Sequence, residues 1–329
     1  MTHQIDPNEV RIFSGRSHPR LAAGIATQLG LALEPTYFEQ FSNDNLYIQL
    51  GASVRSRVVF IVQSLTPPVS DHLMELLMML DIARGAGAKE VHAIIPYFSY
   101  ARSDKKNAPR ISITARLIAD LLHTAGCTHV MTMTLHSPQV HGFFSVPTDP
   151  LTARGLFINY LREWEEKNGL TMSPTDTVIV APDYGRAGSA ARLASHFNLP
   201  SLSAEKNRIS DTEVQIGELI MRQVHGFKRA IIYDDEIATG GSVITLSNLL
   251  IRSGIEEIML ICTHGLFINN ALGRLDAIPQ IREIISTDTV YLPEEKRIPK
   301  ATILSVAQIF GDAIWKNYTR QSIGELFDI

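Results

Sequence analysis

The chain has 329 residues, of which 45% are hydrophobic and 19% charged, and its formal net charge is -4. This length suits two domains, and the composition is typical of a globular protein with a large hydrophobic core. The acidic balance argues against nucleic acid as a partner, because a nucleic-acid footprint needs a basic surplus.

The two cysteines, Cys127 and Cys262, lie far apart in the sequence, and neither belongs to a Cys-x-x-Cys pair. This spacing excludes a disulfide framework, disfavours zinc and fits a reducing cytoplasm. The first residues lack the charged-then-apolar pattern of a signal peptide, and no apolar run reaches membrane-spanning length. We therefore expect a cytoplasmic protein without a membrane partner.

Strand and helix patterns alternate through the first half of the chain. Short apolar runs typical of buried strands are separated by stretches with helical apolar spacing. The predicted strands are Val10 to Ser14, Leu46 to Leu50, Val58 to Ser64, Val91 to Phe98 and His129 to Leu135, and the predicted helices are Pro19 to Leu29, Leu73 to Arg84 and Ile111 to Thr124. This alternation predicts a parallel α/β sheet.

The second half repeats the plan. Its predicted strands are Thr177 to Ala181, a short strand introduced by Leu199 to Ser201, Ala230 to Asp235 and Glu257 to Thr263, and its predicted helices are Leu151 to Lys167, Gly188 to Phe197, Ser242 to Arg252 and Val306 to Tyr318. The run Phe60 to Ser64, with the helix and strand after it, parallels Ile231 to Asp235 and its following elements. This similarity predicts two related domains. We place them at residues 1–152 and 153–305, with the segment 306–329 packing back on the first.

The segment Ile231 to Ser242 carries the strongest signal for ligand binding. Its apolar run turns into the acid pair Asp234 and Asp235, and the loop Thr239-Gly240-Gly241-Ser242 then precedes a helix. Glycines let the backbone approach a ligand closely, and free amides at a helix start favour a phosphate. Adjacent carboxylates suit vicinal hydroxyls or a divalent cation. The segment could hold a phosphorylated sugar, and the alternative is an ordinary strand–turn–helix corner with solvated acids.

Three further polar clusters follow predicted strands, at the edge where open α/β sheets bind ligands. Asp183 could bind a hard cation, or it could cap the amides of Gly185 or Gly188. His136 could bind magnesium or orient a phosphate, although a lone histidine is also compatible with a structural role. The aromatic and basic segment Tyr97 to Lys106 suits a base stacked near its phosphates, and a solvated basic loop is the alternative.

Lys206 and Arg208 lie in a polar stretch of the second half. A loop with two cations could close over a substrate and neutralise charge developing on a transferring group, and an exposed surface loop is the alternative. The chain contains neither a P-loop nor a dinucleotide-binding GxGxxG motif, which disfavours P-loop ATPases and dehydrogenases. Together, the clusters predict anionic phosphates, a divalent cation and a sugar phosphate as ligands.

The order and spacing of several motifs resemble those of the ribose-phosphate pyrophosphokinases (phosphoribosyl diphosphate synthetases). The resemblance runs nearly end to end. The matching segments are Val59 to Ser64, Leu73 to Leu77, Ile95 to Asp104, Leu135-His136, Gly142 to Phe144, Ala181 to Asp183 and Thr263 to Phe267. The resemblance implies two phosphoribosyltransferase-like domains, each a mainly parallel sheet flanked by helices, in a homo-oligomer of dimers within a hexamer.

The implied reaction moves the β,γ-diphosphoryl group of ATP to the anomeric hydroxyl of ribose 5-phosphate, with Mg²⁺, giving phosphoribosyl diphosphate and AMP. By position, the acid pair would hold the ribose hydroxyls and the loop Thr239 to Ser242 the 5-phosphate, both in the second domain. His136 and Asp183 would bind magnesium, and Lys206 and Arg208 would stabilise the transferring group. The ATP contacts, in the first domain, would be Phe41, Asn43, Asn45, Arg102 and Asp104.

The chain departs from the family's pattern at ligand-facing positions. Ala238 stands where the family usually has an acid, and Thr134 where it commonly has Asp. Asn43 and Asn45 replace two acids on the adenine side, and Arg186 replaces a glycine after the predicted metal ligand. These changes leave two other hypotheses beside the active diphosphokinase: an enzyme with an altered donor or acceptor, and a non-catalytic ligand-binding or regulatory homologue.

Overall fold

The computed structural model describes residues 3–204 and 220–327 of the chain. The chain divides into two compact units. The first comprises Met1–Thr152, Thr289–Tyr291 and Ser305–Ile329, and the second comprises Ala153–Asp288 and Leu292–Leu304. Each unit contains its own sheet and core.

The first unit contains a parallel sheet. The strands of this unit are β1 (Val10–Ser14), β2 (Leu33–Glu34), β3 (Thr36–Gln40), β4 (Leu46–Leu50), β5 (Val58–Val62), β6 (Glu90–Ile95), β7 (His129–Met133) and β8 (Thr148–Leu151). Six of them pair in the order β2-β1-β5-β6-β7-β8, and every pair in that sheet is parallel. The last four residues of β5, Val59 to Val62, are buried, as expected for a parallel strand covered on both faces.

The helices of the first unit are α1 (Pro19–Gln28), α2 (Val69–Gly85) and α3 (Thr114–Thr124). Apolar residues of α2 and α3, such as Leu76, Met79 and Ile118, pack into one core with the strands. α2 begins four residues before the predicted start at Leu73. Pro68 stands at its N-cap, and Asp71 lies in its first turn, where a carboxylate interacts favourably with the helix dipole.

The strands β3 and β4 form a separate antiparallel hairpin. The sequence predicted β4 but not β3, and it did not predict an antiparallel pair. The β3 residues are partly or fully exposed, so they lack the continuous apolar run that identifies the buried strands of the two sheets. The hairpin carries the segment Phe41 to Asn45 at its tip.

The second unit also contains a parallel sheet. Its strands are β9 (Thr177–Ala181), β10 (Ser201–Ser203), β11 (Arg229–Ile237), β12 (Glu257–Gly265), β13 (Ile281–Thr287) and β14 (Ala301–Leu304), and its helices include α4 (Arg154–Asn168), α5 (Ala187–Ser195), α6 (Gly241–Arg252) and α7 (Ala271–Asp276). The strand order is β10-β9-β11-β12-β13-β14, again with parallel pairing throughout.

The two sheets share one strand order. If each sheet's strands are counted along the chain, with the hairpin set aside, both sheets read 2-1-3-4-5-6. The segments that the sequence aligned, Phe60 to Ser64 and Ile231 to Asp235, therefore belong to equivalent strands. The predicted α/β architecture of two similar sheets is confirmed.

The last helix, α8 (Ala307–Tyr318), packs against α1 within the first unit. A Cβ atom on Gly24 would lie 3.1 Å from that of Ala307, so glycine permits the close approach of the two helices. His3 stacks on Trp315 with ring centroids 4.8 Å apart, and its Nε2 atom lies 2.7 Å from Oδ1 of Asp312. Within residues 3–204 and 220–327, no helix is long and apolar enough to cross a membrane.

Candidate active site

The carboxyl ends of β9 and β11 bring the strongest sequence signals together. These two strands are neighbours, although β10 lies between them in the chain, so the strand order reverses at this point. Ligands of open α/β sheets bind in the crevice at such a reversal. Asp183 follows β9, and the acid pair lies near the end of β11. The sheet therefore places the second unit's predicted ligand residues at its expected binding edge.

The strand β11 is longer than the sequence predicted. It continues past Asp235 to Ile237, because Glu236 pairs with His264 and Ile237 with Gly265 of β12. The acid pair consequently lies on a hydrogen-bonded strand and not on a loop. This position holds the backbone of both acids in place.

The two acids have different environments. Asp235 is buried, whereas Asp234 is partly exposed, and the Asp235 amide donates a hydrogen bond of 2.8 Å to Oδ1 of Asp234. Although Asp234 keeps some exposure, the burial of its carboxyl at the strand end raises its pKa well above the usual range, and the negative charges of Asp235 and Asp183 raise it further. The site thus concentrates negative charge, which favours bound cations or hydroxyl donors.

Arg186 brings a positive charge to the buried acid. Its Nε atom lies 3.6 Å from Oδ1 of Asp235, and the two side chains are 11% and 3% exposed. The sequence marked Arg186 as the replacement of a glycine but did not predict this ion pair. The Arg186 amide also donates to Oδ1 of Asp183 over 3.1 Å. Asp183 therefore caps a backbone amide, which was one of the two interpretations of the sequence. The capped amide is that of Arg186 and not that of Gly185 or Gly188.

The loop Thr239 to Ser242 has the geometry of an anion site. Gly240 adopts a left-handed φ of 76° and stands at the N-cap of α6, which begins at Gly241. A left-handed residue at this position favours glycine. The first turn of a helix carries amides that the helix itself cannot pair, and Gly240 has no side chain to cap them. Thr239 and Gly241 are exposed, so a ligand can reach the loop.

Arg274, a residue that the sequence did not single out, contacts the same loop. It lies on α7, and its Nη2 atom donates a hydrogen bond to the carbonyl oxygen of Thr239. Gly240 also packs over this helix, because an added Cβ atom there would lie 3.6 Å from that of Ala271. Since 35 residues separate Arg274 from Thr239 in sequence, no local motif could have revealed the contact.

The predicted ligand residues of the first unit form two groups. Arg102 and Asp104 follow β6, and His136 follows the neighbouring strand β7, so all three lie at the carboxyl edge of one sheet. Arg102 is exposed, in a short 3₁₀ turn, whereas Asp104 and His136 are half-buried. Thr134, two residues before His136, has a left-handed φ of 42°, a strained conformation for a β-branched residue.

The second group lies at the tip of the β3–β4 hairpin, where Phe41, Asn43 and Asn45 are all exposed. The Phe41 amide donates to the Asn45 carbonyl over 2.9 Å, and the Asn45 amide donates to Oδ1 of Asn43 over 3.3 Å. The Phe41 ring is 52% exposed and lies 5.9 Å from that of Tyr47. The remaining predicted residues, Lys206 and Arg208, lie outside the described residues.

The available donors fit a magnesium ion better than a metal held entirely by protein. Among residues 3–204 and 220–327, no three His, Cys, Asp or Glu side chains converge as a metal site. Mg²⁺ commonly binds one or two carboxylates and takes its other ligands from water and substrate phosphates. Asp183, partly exposed at a strand end, matches such a ligand.

Comparisons with known proteins agree with this geometry. Residues 10–126 match the family model for the N-terminal domain of ribose phosphate pyrophosphokinase, and residues 212–328 match the phosphoribosyl synthetase-associated domain. The chain is 41% identical over 321 residues to a ribose-phosphate pyrophosphokinase of Deinococcus radiodurans, covering 96% of this chain and 97% of the relative. It is 39% identical over 320 residues to that of Caldanaerobacter subterraneus subsp. tengcongensis, covering 97% and 98%.

A solved structure gives the same result. The phosphoribosylpyrophosphate synthetase from Mycobacterium smegmatis matches with a TM-score of 0.84 at 34% sequence identity, covering 95% of this chain and 99% of that one. The resemblance inferred from the motifs is confirmed, and so is the expected fold. The chain belongs to the ribose-phosphate pyrophosphokinase family.

Proposed function

We propose that the protein is a ribose-phosphate diphosphokinase, which transfers the β,γ-diphosphoryl group of ATP to the anomeric hydroxyl of ribose 5-phosphate and releases AMP. The observation that carries this proposal is the meeting of an acid pair and an anion-binding helix start at the strand reversal between β9 and β11. One edge therefore offers hydroxyl acceptors and a phosphate site, the two features that a pentose phosphate needs. Family membership agrees with this assignment.

The ribose 5-phosphate would bind with its phosphate at the first turn of α6. The amides of the loop Thr239 to Ser242 and the hydroxyls of its two end residues would donate hydrogen bonds to the phosphate oxygens. The acid pair would accept hydrogen bonds from the ring hydroxyls. These contacts would fix the sugar and leave its anomeric hydroxyl for reaction, which lowers the entropic part of the barrier.

The nucleotide residues would be those of the first unit. Phe41 presents an exposed ring on which a base can stack, and Arg102 presents an exposed guanidinium for phosphates. Asn43, Asn45 and Asp104 would supply further polar contacts. Asp183 in the second unit and His136 in the first are the candidate Mg²⁺ ligands, and Mg²⁺ would neutralise phosphate charge. Lys206 and Arg208 would stabilise the transferring group, as the positioning-and-charge logic of phosphoryl transfer requires.

We also propose that the protein acts in the cytoplasm as a homo-oligomer, in line with its reduced cysteines and with the family resemblance. A second function is favoured by one observation. The ion pair between Arg186 and Asp235 alters the sugar side of the site, so a diphosphokinase with a changed acceptor range is the principal alternative.

The decisive assay mixes the protein with ATP, Mg²⁺ and ribose 5-phosphate and follows the products by phosphorus NMR. Diphosphoryl transfer produces AMP and a sugar diphosphate in equal amounts, whereas single phosphoryl transfer produces ADP. An Asp234→Asn variant should lose most of the activity, and Asp120→Asn, an exposed helix position in the first unit, should not. Formation of ADP, or the absence of AMP with every pentose phosphate, would contradict the proposal.

A further inference from the structure

Arg186 places a positive charge beside the acid pair of the second unit, and the proposed reaction does not require this charge. The Arg186 guanidinium lies beside the buried carboxylate of Asp235, with 3.6 Å between Nε and Oδ1. An arginine stays charged at every physiological pH, so this pairing is permanent unless the side chain moves. Asp235 therefore has a compensating partner before any substrate arrives.

The local backbone holds Arg186 in this position. Residues Tyr184–Arg186 form a single 3₁₀ turn directly after β9, and Asp183 caps it by accepting the Arg186 amide over 3.1 Å. The side chain of Arg186 is only 11% exposed, which keeps the ion pair away from solvent screening. The turn thus fixes one positive charge against the more buried member of the acid pair.

We propose that Arg186 is a specificity-determining residue that makes the site tolerant of pentose phosphates lacking one ring hydroxyl, 2-deoxyribose 5-phosphate in particular. The inference rests on the proposed function, because it concerns the acceptor of that reaction. It assigns Arg186 no part in bond making or breaking.

The reason is the cost of an unpaired buried group. A site whose polar groups depend on a substrate hydroxyl rejects an analogue without it by factors of about 10⁴ to 10⁵, because the analogue leaves those groups unsatisfied. Asp235 does not depend on the sugar in this way, since Arg186 already pairs with it. A missing hydroxyl at Asp235 then leaves that buried carboxylate compensated, and the discrimination between the two acceptors becomes small.

The experiment measures kcat/KM for ribose 5-phosphate and 2-deoxyribose 5-phosphate in the wild type and in the Arg186→Gly and Arg186→Lys variants. We expect the wild type to prefer ribose 5-phosphate by no more than about tenfold and Arg186→Gly to raise that preference above about a hundredfold. Arg186→Lys keeps a cation and should stay close to the wild type. Calorimetric binding of each sugar phosphate without ATP should show the same change in ratio.

The outcomes separate this inference from the proposed function. A wild type that prefers ribose 5-phosphate by more than about tenfold, or an Arg186→Gly variant with the same preference as the wild type, overturns the role of Arg186 and leaves the function standing. A wild type without AMP production overturns the function, and the binding ratios of the three proteins still decide the role of Arg186. If Arg186→Gly does not fold, the wild-type ratio and that of Arg186→Lys remain decisive.

Discussion

In the first unit, Nε2 of Gln63 donates a hydrogen bond of 2.8 Å to Oε2 of Glu75. Gln63 directly follows β5, the strand that is equivalent to β11. In the aligned segments, Gln63 occupies the position of Asp234. Its Oε1 atom also accepts a hydrogen bond of 2.7 Å from the Ser17 hydroxyl. The first unit therefore has an amide, hydrogen-bonded to Glu75 and Ser17, at the position where the second unit has the Asp234 carboxylate. Of the two equivalent strands, β11 is thus the one that has the acid pair expected to bind a sugar phosphate.

Glu75 is the centre of this internal network, and its removal should destabilise the protein. Its side chain is fully buried and accepts hydrogen bonds from Gln63 and from the backbone and side chain of Arg16. We expect Glu75→Ala to lower the free energy of unfolding by about 3 kcal/mol, because buried donors lose their acceptor. Urea denaturation measures the change. Asp81→Ala, which breaks an exposed ion pair with Arg84, is the matched control and should leave the midpoint unchanged. Equal midpoints for both variants would contradict the prediction.

His92 should make stability depend on pH. It is buried on β6, and its ring stacks on that of His129 with centroids 5.0 Å apart. Burial, and then the charge of His129, lower the pKa of His92 from 6.5 to about 4. The folded state therefore binds fewer protons than the unfolded state between these values, so this stabilisation is complete above pH 6.5 and is lost as the pH falls towards 4.

The loss from His92 should amount to roughly 3 kcal/mol at most, from about 1.4 kcal/mol per pKa unit. Thermal unfolding of the wild type and of His92→Asn at pH 7 and pH 5 tests this. The difference in stability between the two proteins should shrink at pH 5, because the asparagine does not titrate. A difference that is independent of pH would show that His92 titrates normally in the folded protein.

Both cysteines should resist alkylation in the folded protein. Each is buried, and burial raises the pKa of the Cys127 thiol to about 11 and also raises the pKa of Cys262. Since the thiolate is the reactive species, iodoacetamide at pH 8 should leave native protein unmodified. Mass spectrometry should find two modified thiols after unfolding in urea. Modification of either cysteine in the native protein would contradict the burial that the structure describes.

Arg274 should affect substrate binding through the phosphate loop. Its side chain donates to the Thr239 carbonyl, so its loss removes a contact that holds the loop at the start of α6. We expect Arg274→Ala to raise the KM for ribose 5-phosphate roughly tenfold, equivalent to one lost hydrogen bond, with little change in kcat. Arg297→Ala, an exposed arginine of the same unit, is the control. A fall in kcat at constant KM would instead indicate a role in the transition state.

The features that could be predicted from the sequence are local ones. The buried strands are continuous apolar runs, and the acid pair with its glycine loop lies within twelve consecutive residues, Ile231 to Ser242. The β3 strand was not predicted because its residues are largely exposed and form no continuous apolar run. The contacts of Arg186 with Asp235 and of Arg274 with Thr239 join residues that are distant in sequence. The pairing of β9 with β11 and the packing of α7 bring them together.

The most direct test of the account is a crystal structure of the protein with ribose 5-phosphate. We predict the phosphate at the first turn of α6, within hydrogen-bonding distance of the loop Thr239 to Ser242, and a ring hydroxyl on the carboxylate of Asp234. A sugar phosphate bound anywhere else, or a loop that turns its amides away from the phosphate, would contradict the central claim.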